Sequence, residues 1–173
     1  YDTEDLIVEK AGKSDQDIIE QDGEKKFRQI ESKILEEICP KTKVVIATGG
    51  GVIADDANRD IVFKNSFVIC LEARVDSINR RLFQSATRDS NSVRPLIRSD
   101  HSLEDIIALK SRRQDLYSLA HWTIHTDDLP VEGVVSEAVH AWEILGESFI
   151  DKSAVSKPSD ITVRTVQAVS YTH

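Results

Sequence analysis

The sequence predicts an α/β domain built on a parallel sheet flanked by helices, and three observations carry that prediction. The short runs at 43–48, 67–71 and 122–126 are rich in apolar residues rather than strictly alternating, as strands buried on both faces require. The stretches between them show helical spacing. Strands and helices also alternate along the chain, which is the order that gives a parallel sheet covered on both sides.

Each element has a local reason. Residues 5–12 are short and mixed; Ser14 then precedes Asp15, Asp17, Ile18 and Ile19, an N-cap with acids in the first turn. Asp22-Gly23 breaks that helix. From Glu24 onward Phe27, Ile30, Ile34, Leu35 and Ile38 recur at three- and four-residue spacing, an amphipathic helix stopped by Pro40. The strand at 43–48 runs into Gly49-Gly50-Gly51. Residues 55–64 predict a helix, 67–71 a second strand and 75–83 another helix. The polar stretch 84–101 carries Arg88, Arg94 and Arg98 and suits a functional lid or an insert. Residues 103–119 predict a long helix, 122–126 a strand, and 130–145 a helix with Pro130 at its start. Past Gly146 the composition turns to Ser, Lys and Pro, and 161–166 alternates like a strand without partners. The expected organisation is a domain at 1–146, a linker at 147–160, and a further element or disordered tail at 161–173.

Composition narrows the function. With 22 Lys+Arg against 30 Asp+Glu the net charge is −8 and the pI about 5.1, which argues against a general nucleic-acid binder but permits a local basic pocket. No apolar run reaches the ~18 residues of a membrane span. Cys39 and Cys70 are far apart, without CxxC or zinc spacing, and predict a reducing, cytoplasmic setting. The absence of Met and of a signal-peptide pattern leads us to expect a fragment of a longer chain.

Several residues could carry chemistry. The glycine run after a strand lets backbone N–H groups approach an anion, although an ordinary tight turn would look the same. Arg28, with Glu24 and Glu31 at i−4 and i+3, could grip an anion or form a surface pair worth ~0.3 kcal/mol. Arg113 could bind an anion or belong to a solvated face with Lys110 and Arg112, and Arg94-Pro95 could be an incidental turn. If the opening segment is a strand, Asp2 and Glu4 share a face, suited to a metal or a proton acceptor. His121 and His125 would also share a strand face, but no third zinc ligand is evident.

Taken in order, Asp2-Thr3-Glu4, the segment from Asp22-Gly23-Glu24 through Phe27-Arg28 to Glu31, Thr48-Gly49-Gly50-Gly51, Arg94-Pro95-Leu96-Ile97 and Arg112-Arg113-Gln114-Asp115-Leu116-Tyr117 resemble the motifs of shikimate kinases. The resemblance spans about residues 2–146. It implies a P-loop kinase-like (nucleoside-monophosphate-kinase-like) fold that transfers the ATP γ-phosphoryl group to the 3-hydroxyl of shikimate, with Mg²⁺. By that resemblance Arg28, Arg113 and the glycines Gly49, Gly50 and Gly51 hold the substrate, and Glu4 bonds the attacking hydroxyl. Arg94 closes on the phosphates, Arg81 and Pro130 lie on the nucleotide side, and Asp2 orients the metal shell through water. Charge neutralisation by Arg and Mg²⁺ is what phosphoryl transfer requires.

Two departures qualify the transfer of function. The family's Walker A loop should precede Asp2, and Ala11-Gly12-Lys13-Ser14 does not replace it, because no glycine stands five residues before Gly12. We therefore expect a chain lacking the first strand, P-loop and first helix, inactive alone, with a gap at the sheet centre. Glu4 stands where the family usually has Asp. The rival expectations are a degenerate, non-catalytic metabolite- or partner-binding domain and a kinase for another hydroxylated substrate such as gluconate. Residues 161–171 also resemble, weakly, the first strand of a 3-dehydroquinate synthase, which implies a covalently fused second enzyme.

Overall fold

A computed structural model describes residues 1–88, 103–146 and 166–170, the last five and 85–88 by their backbone alone. The chain begins with helices α1 (Thr3–Ala11), α2 (Asp15–Asp22) and α3 (Glu24–Ile38). Strand β1 (Val45–Gly49) leads through the glycines into a 3-10 turn (Val52–Ala54) and helix α4 (Asp56–Asn65). Strand β2 (Phe67–Glu72), helices α5 (Val75–Arg88) and α6 (Leu103–Tyr117), strand β3 (Trp122–His125) and helix α7 (Val131–Ala141) follow, and α7 closes in a wider turn (Trp142–Gly146). Strand β4 (Val166–Ser170) completes a four-stranded parallel sheet in the order β1-β4-β2-β3.

The opening segment differs from the strand reading. Asp2 is the N-cap of α1, its Oδ1 accepting the Glu4 N–H at 2.9 Å, so Glu4 lies in the first helical turn rather than beside Asp2 on a strand face. Tyr1 and Asp2 do run along β1, since the Ala47 N–H donates to the Tyr1 carbonyl at 2.8 Å and Asp2 bridges Ala47. Gly12 ends α1 in a left-handed conformation at φ 66°, and Ser14 caps α2 by accepting from the Asp17 N–H. Gly12-Lys13-Ser14 is thus a junction between two helices.

The tail also differs. The strand forms at Val166–Ser170 and has partners on both sides, with Val166 in register with Val45 of β1 and Phe67 of β2. The expected gap at the sheet centre is filled by this segment. Helix α5 runs on to Arg88, so 84–88 belongs to a helix rather than to the polar loop. The rest of that loop, Arg94 included, lies outside the described residues, as does the linker at 147–160.

Both faces of β2 are buried. Val68 joins the cluster of Ile7, Ile18, Phe27, Ile34, Leu35, Ile38 and Ile46, which secures α1, α2 and α3, while Cys70 meets Tyr117 of α6. Phe67 and Ile69 face Ile124 and Ala141, with Val134 and Ala138 of α7 packed against them. The alternation along one strand thus explains why helices cover both sides. No helix among the described residues is long and apolar enough to cross a membrane.

His121 pins the start of β3 to β2. Its Nδ1 accepts the Val68 N–H at 2.9 Å, its ring stacks on Phe67, and burial lowers its pKa from the ordinary 6.5. Protonating Nδ1 would cost the Val68 bond. A folded-state pKa below the unfolded value contributes stability that is present above about pH 6.5 and lost as pH falls through the folded pKa. Denaturant titrations between pH 8 and 5 are therefore expected to show stability falling on the acid side. A His121→Asn variant, whose amide oxygen can still accept the Val68 N–H, should lose part of that slope; an unchanged slope would remove His121 as its source.

Candidate active site

The carboxyl end of β1 gathers most of the singled-out residues. Strand β1 delivers Gly49 at its end, then Gly50 and Gly51, and all of the Gly50–Ile53 stretch is buried. Helix α3 brings Arg28 to the same place: its NH2 lies 2.7 Å from where a Cβ on Gly51 would sit. A Cβ there would push the guanidinium aside. Its side chain is 16% exposed and its charged group rests 5.1 Å from the Phe27 ring centroid.

The Arg28 pair is not the solvated contact that its spacing suggests. Glu31 is 3% exposed, and its Oε2 accepts from Arg28 NH1 at 2.8 Å and from Asn58 Nδ2 at 3.1 Å. Burial pushes the Glu31 carboxyl up from its ordinary value, against the pull of Arg28. Burial works against the Arg28 charge as well, but Glu31 and then Glu24 more than offset it, and its pKa rises. Asn58, fully buried, caps the network: its Oδ1 accepts from Ser32 Oγ at 2.6 Å and its N–H donates to Asp55 Oδ1 at 3.0 Å.

Helix α6 supplies the opposite wall. The Tyr117 hydroxyl donates to the Gly50 carbonyl at 2.8 Å, and Arg113, one turn earlier, hydrogen-bonds the same hydroxyl. Burial, outweighing the charge of Arg113, raises the Tyr117 pKa, so the hydroxyl keeps its proton as a donor. Arg113 is accordingly tied to the glycine run, whereas among the described residues Arg112 bonds only its own helix, and Lys110 pairs with Glu72. Tyr117 also lines a cleft of about 320 Å³ beside Glu72, Lys110 and His125. Tyr117 ends the motif that begins at Arg112, and the resemblance assigns it no role. Its signal is the four-residue spacing from Arg113, which stacks the two side chains on one helical face.

Arg81 reaches the loop that follows β3, and Pro130 ends that loop. Arg81 donates to Thr126 through Oγ1 at 2.9 Å and through the carbonyl at 2.6 Å, and the Thr126 hydroxyl donates to the Glu72 carbonyl. Pro130, exposed, is the N-cap of α7 at the far end of that loop. His125 is exposed on β3 and His121 precedes the strand, so the two do not share a strand face. Among the described residues no group of three His, Cys, Asp or Glu could hold a metal ion.

The donors at the start of α1 are carboxylate oxygens of Asp2 and Glu4, the hard ligand type Mg²⁺ takes. One Asp2 oxygen is committed to the cap, which suits a single carboxylate acting through the ion's water shell. Where substrate phosphates and water supply most of an Mg²⁺ shell, one or two carboxylates meet the requirement.

Comparison with known proteins agrees with this geometry. A crystal structure of shikimate kinase from Bacteroides thetaiotaomicron superposes with a TM-score of 0.69 at 25% identity, covering 84% of this chain and 82% of that one. Shikimate kinase from Acinetobacter baumannii in complex with shikimate gives 0.68 at 30% identity, covering 88% and 79%. The fold is that of a P-loop kinase. The sequence profile "Shikimate kinase" matches residues 1–143. Shikimate kinase of Thermodesulfovibrio yellowstonii is 35% identical over 142 residues, 82% of this chain and 79% of that protein. Its counterpart in Caldicellulosiruptor bescii is 34% identical over 131 residues, covering 76% and 73%. The chain belongs to the shikimate kinase family.

Two substitutions test this geometry. Gly51→Ala would place a methyl against Arg28 NH2, the movable end of a side chain, at a backbone φ of −83° that alanine accepts. Stability should change by less than about 1 kcal/mol, while any anion held by Arg28 should bind at least about tenfold more weakly in calorimetry. Tyr117→Phe leaves the Gly50 carbonyl unpaired and should cost about 1 to 3 kcal/mol in denaturant unfolding. An unchanged midpoint would show that the Gly50 bond contributes nothing.

Proposed function

We propose that the protein phosphorylates the 3-hydroxyl of shikimate with ATP, in the biosynthesis of aromatic amino acids. The observation that carries the reading is the Arg28 guanidinium seated on Gly51, with Arg113 linked through Tyr117 to Gly50. A carboxylate suits this wall because guanidinium nitrogens and nearby backbone N–H groups match its two oxygens. The family match and the shikimate complex of the Acinetobacter baumannii relative support the same choice of substrate.

In this reading Arg28, Arg113 and the run Gly49, Gly50, Gly51 bind and orient shikimate. Glu4, in the first turn of α1, accepts a hydrogen bond from the attacking hydroxyl. Arg81 and Pro130 border the nucleotide base, and Arg94 meets the transferring phosphoryl group. Asp2 would hold Mg²⁺ through water, and that ion neutralises charge on the phosphates. The buried thiols of Cys39 and Cys70, neither in a disulfide among the described residues, are compatible with a reducing, cytoplasmic setting. The weak likeness of 161–171 to the first strand of a 3-dehydroquinate synthase is the support for a fused second enzyme, and the pairing of Val166–Ser170 within this sheet stands against it.

A coupled assay of ATP consumption with shikimate, on the full-length protein, tests the activity. Turnover within the 1–100 per second typical of kinases is the expected result, and no shikimate-dependent turnover would refute the proposal in favour of the non-catalytic reading. Arg28→Ala and Arg113→Ala should each weaken shikimate binding by about 1.5 to 3 kcal/mol in calorimetry. Glu4→Gln should lower kcat by at least about 100-fold with binding largely retained. Equal rates in wild type and Glu4→Gln would remove this carboxylate from catalysis.

A further inference from the structure

Asn58 is not among the motif residues of the resemblance, yet it is fully buried and its side chain hydrogen-bonds Glu31 and Ser32, which flank the Arg28 turn of α3. Its Nδ2 donates to Glu31 Oε2, the same oxygen that receives Arg28 NH1. The single Ser32 hydroxyl proton is shared between two acceptors, Asn58 Oδ1 at 2.6 Å and the Arg28 carbonyl at 2.8 Å, while the Glu31 carboxylate, which only accepts, turns the Nδ2 end of the amide toward itself. The amide therefore has one orientation in which Glu31 receives a donor. Asp55 Oδ1 accepts the Asn58 backbone N–H, so α4 begins at a fixed place relative to α3.

The Glu31 carboxylate could turn in two ways without that donor. With Asn58 holding Oε2 from one side, the oxygen can meet Arg28 from only one direction, and that direction sends NH2 over Gly51. We propose that Asn58 is a positioning residue of the shikimate site: through Glu31 it sets the direction of the Arg28 guanidinium at Gly51. The inference rests on the proposed role of Arg28 in binding shikimate.

A carboxylate at position 58 gives the test a pH readout. The charged groups around Glu31 are Arg28 on its own helix, Asp55 before α4 and Glu4 on α1. In an Asn58→Asp variant two carboxylates would face each other at high pH and repel. At lower pH the pair would share a proton and restore a donor to Glu31.

The experiment uses the full-length protein, with steady-state kinetics, calorimetry with shikimate and side-chain NMR of the Arg28 Nε–H. Asn58→Leu is expected to raise the shikimate KM about tenfold, with the ATP KM and kcat within about twofold, and to broaden the Arg28 signal. Asn58→Asp should show the same defect at pH 8.5 and recover toward wild type at pH 6, a recovery that a merely structural role would not produce. Ser32→Ala should give a smaller defect of the same kind, and it decides the matter together with Asn58→Asp if Asn58→Leu does not fold. A folded Asn58 variant with unchanged shikimate KM and an unchanged Arg28 signal would overturn the proposal. Should wild type bind no shikimate, the functional reading fails, and the Arg28 signal alone then supports or refutes the positioning claim.

Discussion

A carboxylate buried to 3% exposure in the middle of a helix is expensive, because taking an ion out of water costs several kcal/mol. Glu31 meets that cost with two donors, Arg28 NH1 and Asn58 Nδ2, and the rest of the site follows from how those donors must lie. Arg28 is drawn inward along α3, so its outer nitrogen reaches Gly51. Asn58 is drawn toward α3, so α4 and the turn before it are fixed against the same helix. An apolar replacement of such a pair is often as stable as the pair itself. What this pair contributes is therefore a direction for Arg28 more than stability.

The sheet supplies the fixed frame. Strand β2, buried on both faces, sits between β4 and β3, and open parallel sheets bind ligands at the carboxyl ends of their strands. At that end of β1 the chain turns through Gly49, Gly50 and Gly51, and each neighbouring helix contributes one tie. Helix α3 contributes Arg28 and α6 contributes Tyr117 with Arg113. The start of α1 is held alongside β1 through the Asp2–Ala47 bridge. Side chains carried by helices that are packed into the core move little, which suits a reaction that depends on positioning.

Local sequence made helices α2 to α7 and three strands legible because their signals are local, while α1 was not read as a helix. Phe27, Ile34 and Ile38 lie on one face of α3, and the burial of these positions matches their spacing. Glu31 lies on that same face, four residues after Phe27, so a charge on an apolar stripe was the available sign that the Arg28 pair was buried. The i, i+3 rule describes solvated pairs and carried the opposite message. At the amino end Asp2, Glu4 and Asp5 satisfied two patterns at once, alternation on a strand and an N-cap with acids in the first turn. The cap won because the Asp2 oxygen satisfies a helical N–H. Strand β4 was the least legible. Alternation near 161–166 signals a strand, but pairing with β1 and β2 is a contact across more than ninety residues that no local pattern encodes.

The electrostatics of Arg28 reconcile an acidic protein with the anionic substrate proposed for it. The chain carries −8 overall, and Arg28 already faces two carboxylates, so its charge looks spent. The two partners are not equivalent. Glu31 is buried, bonds NH1 at 2.8 Å and is itself held by Asn58, so a ligand cannot replace it. Glu24 is 60% exposed and bonds NH2 at 3.4 Å, a long contact for which water already competes. NH2 is also the nitrogen that lies against Gly51. A substrate carboxylate arriving at the glycine run would thus displace the weak partner and leave the strong one. The inner pair keeps Arg28 charged and aimed, while the outer pair keeps it solvated until a better acceptor arrives.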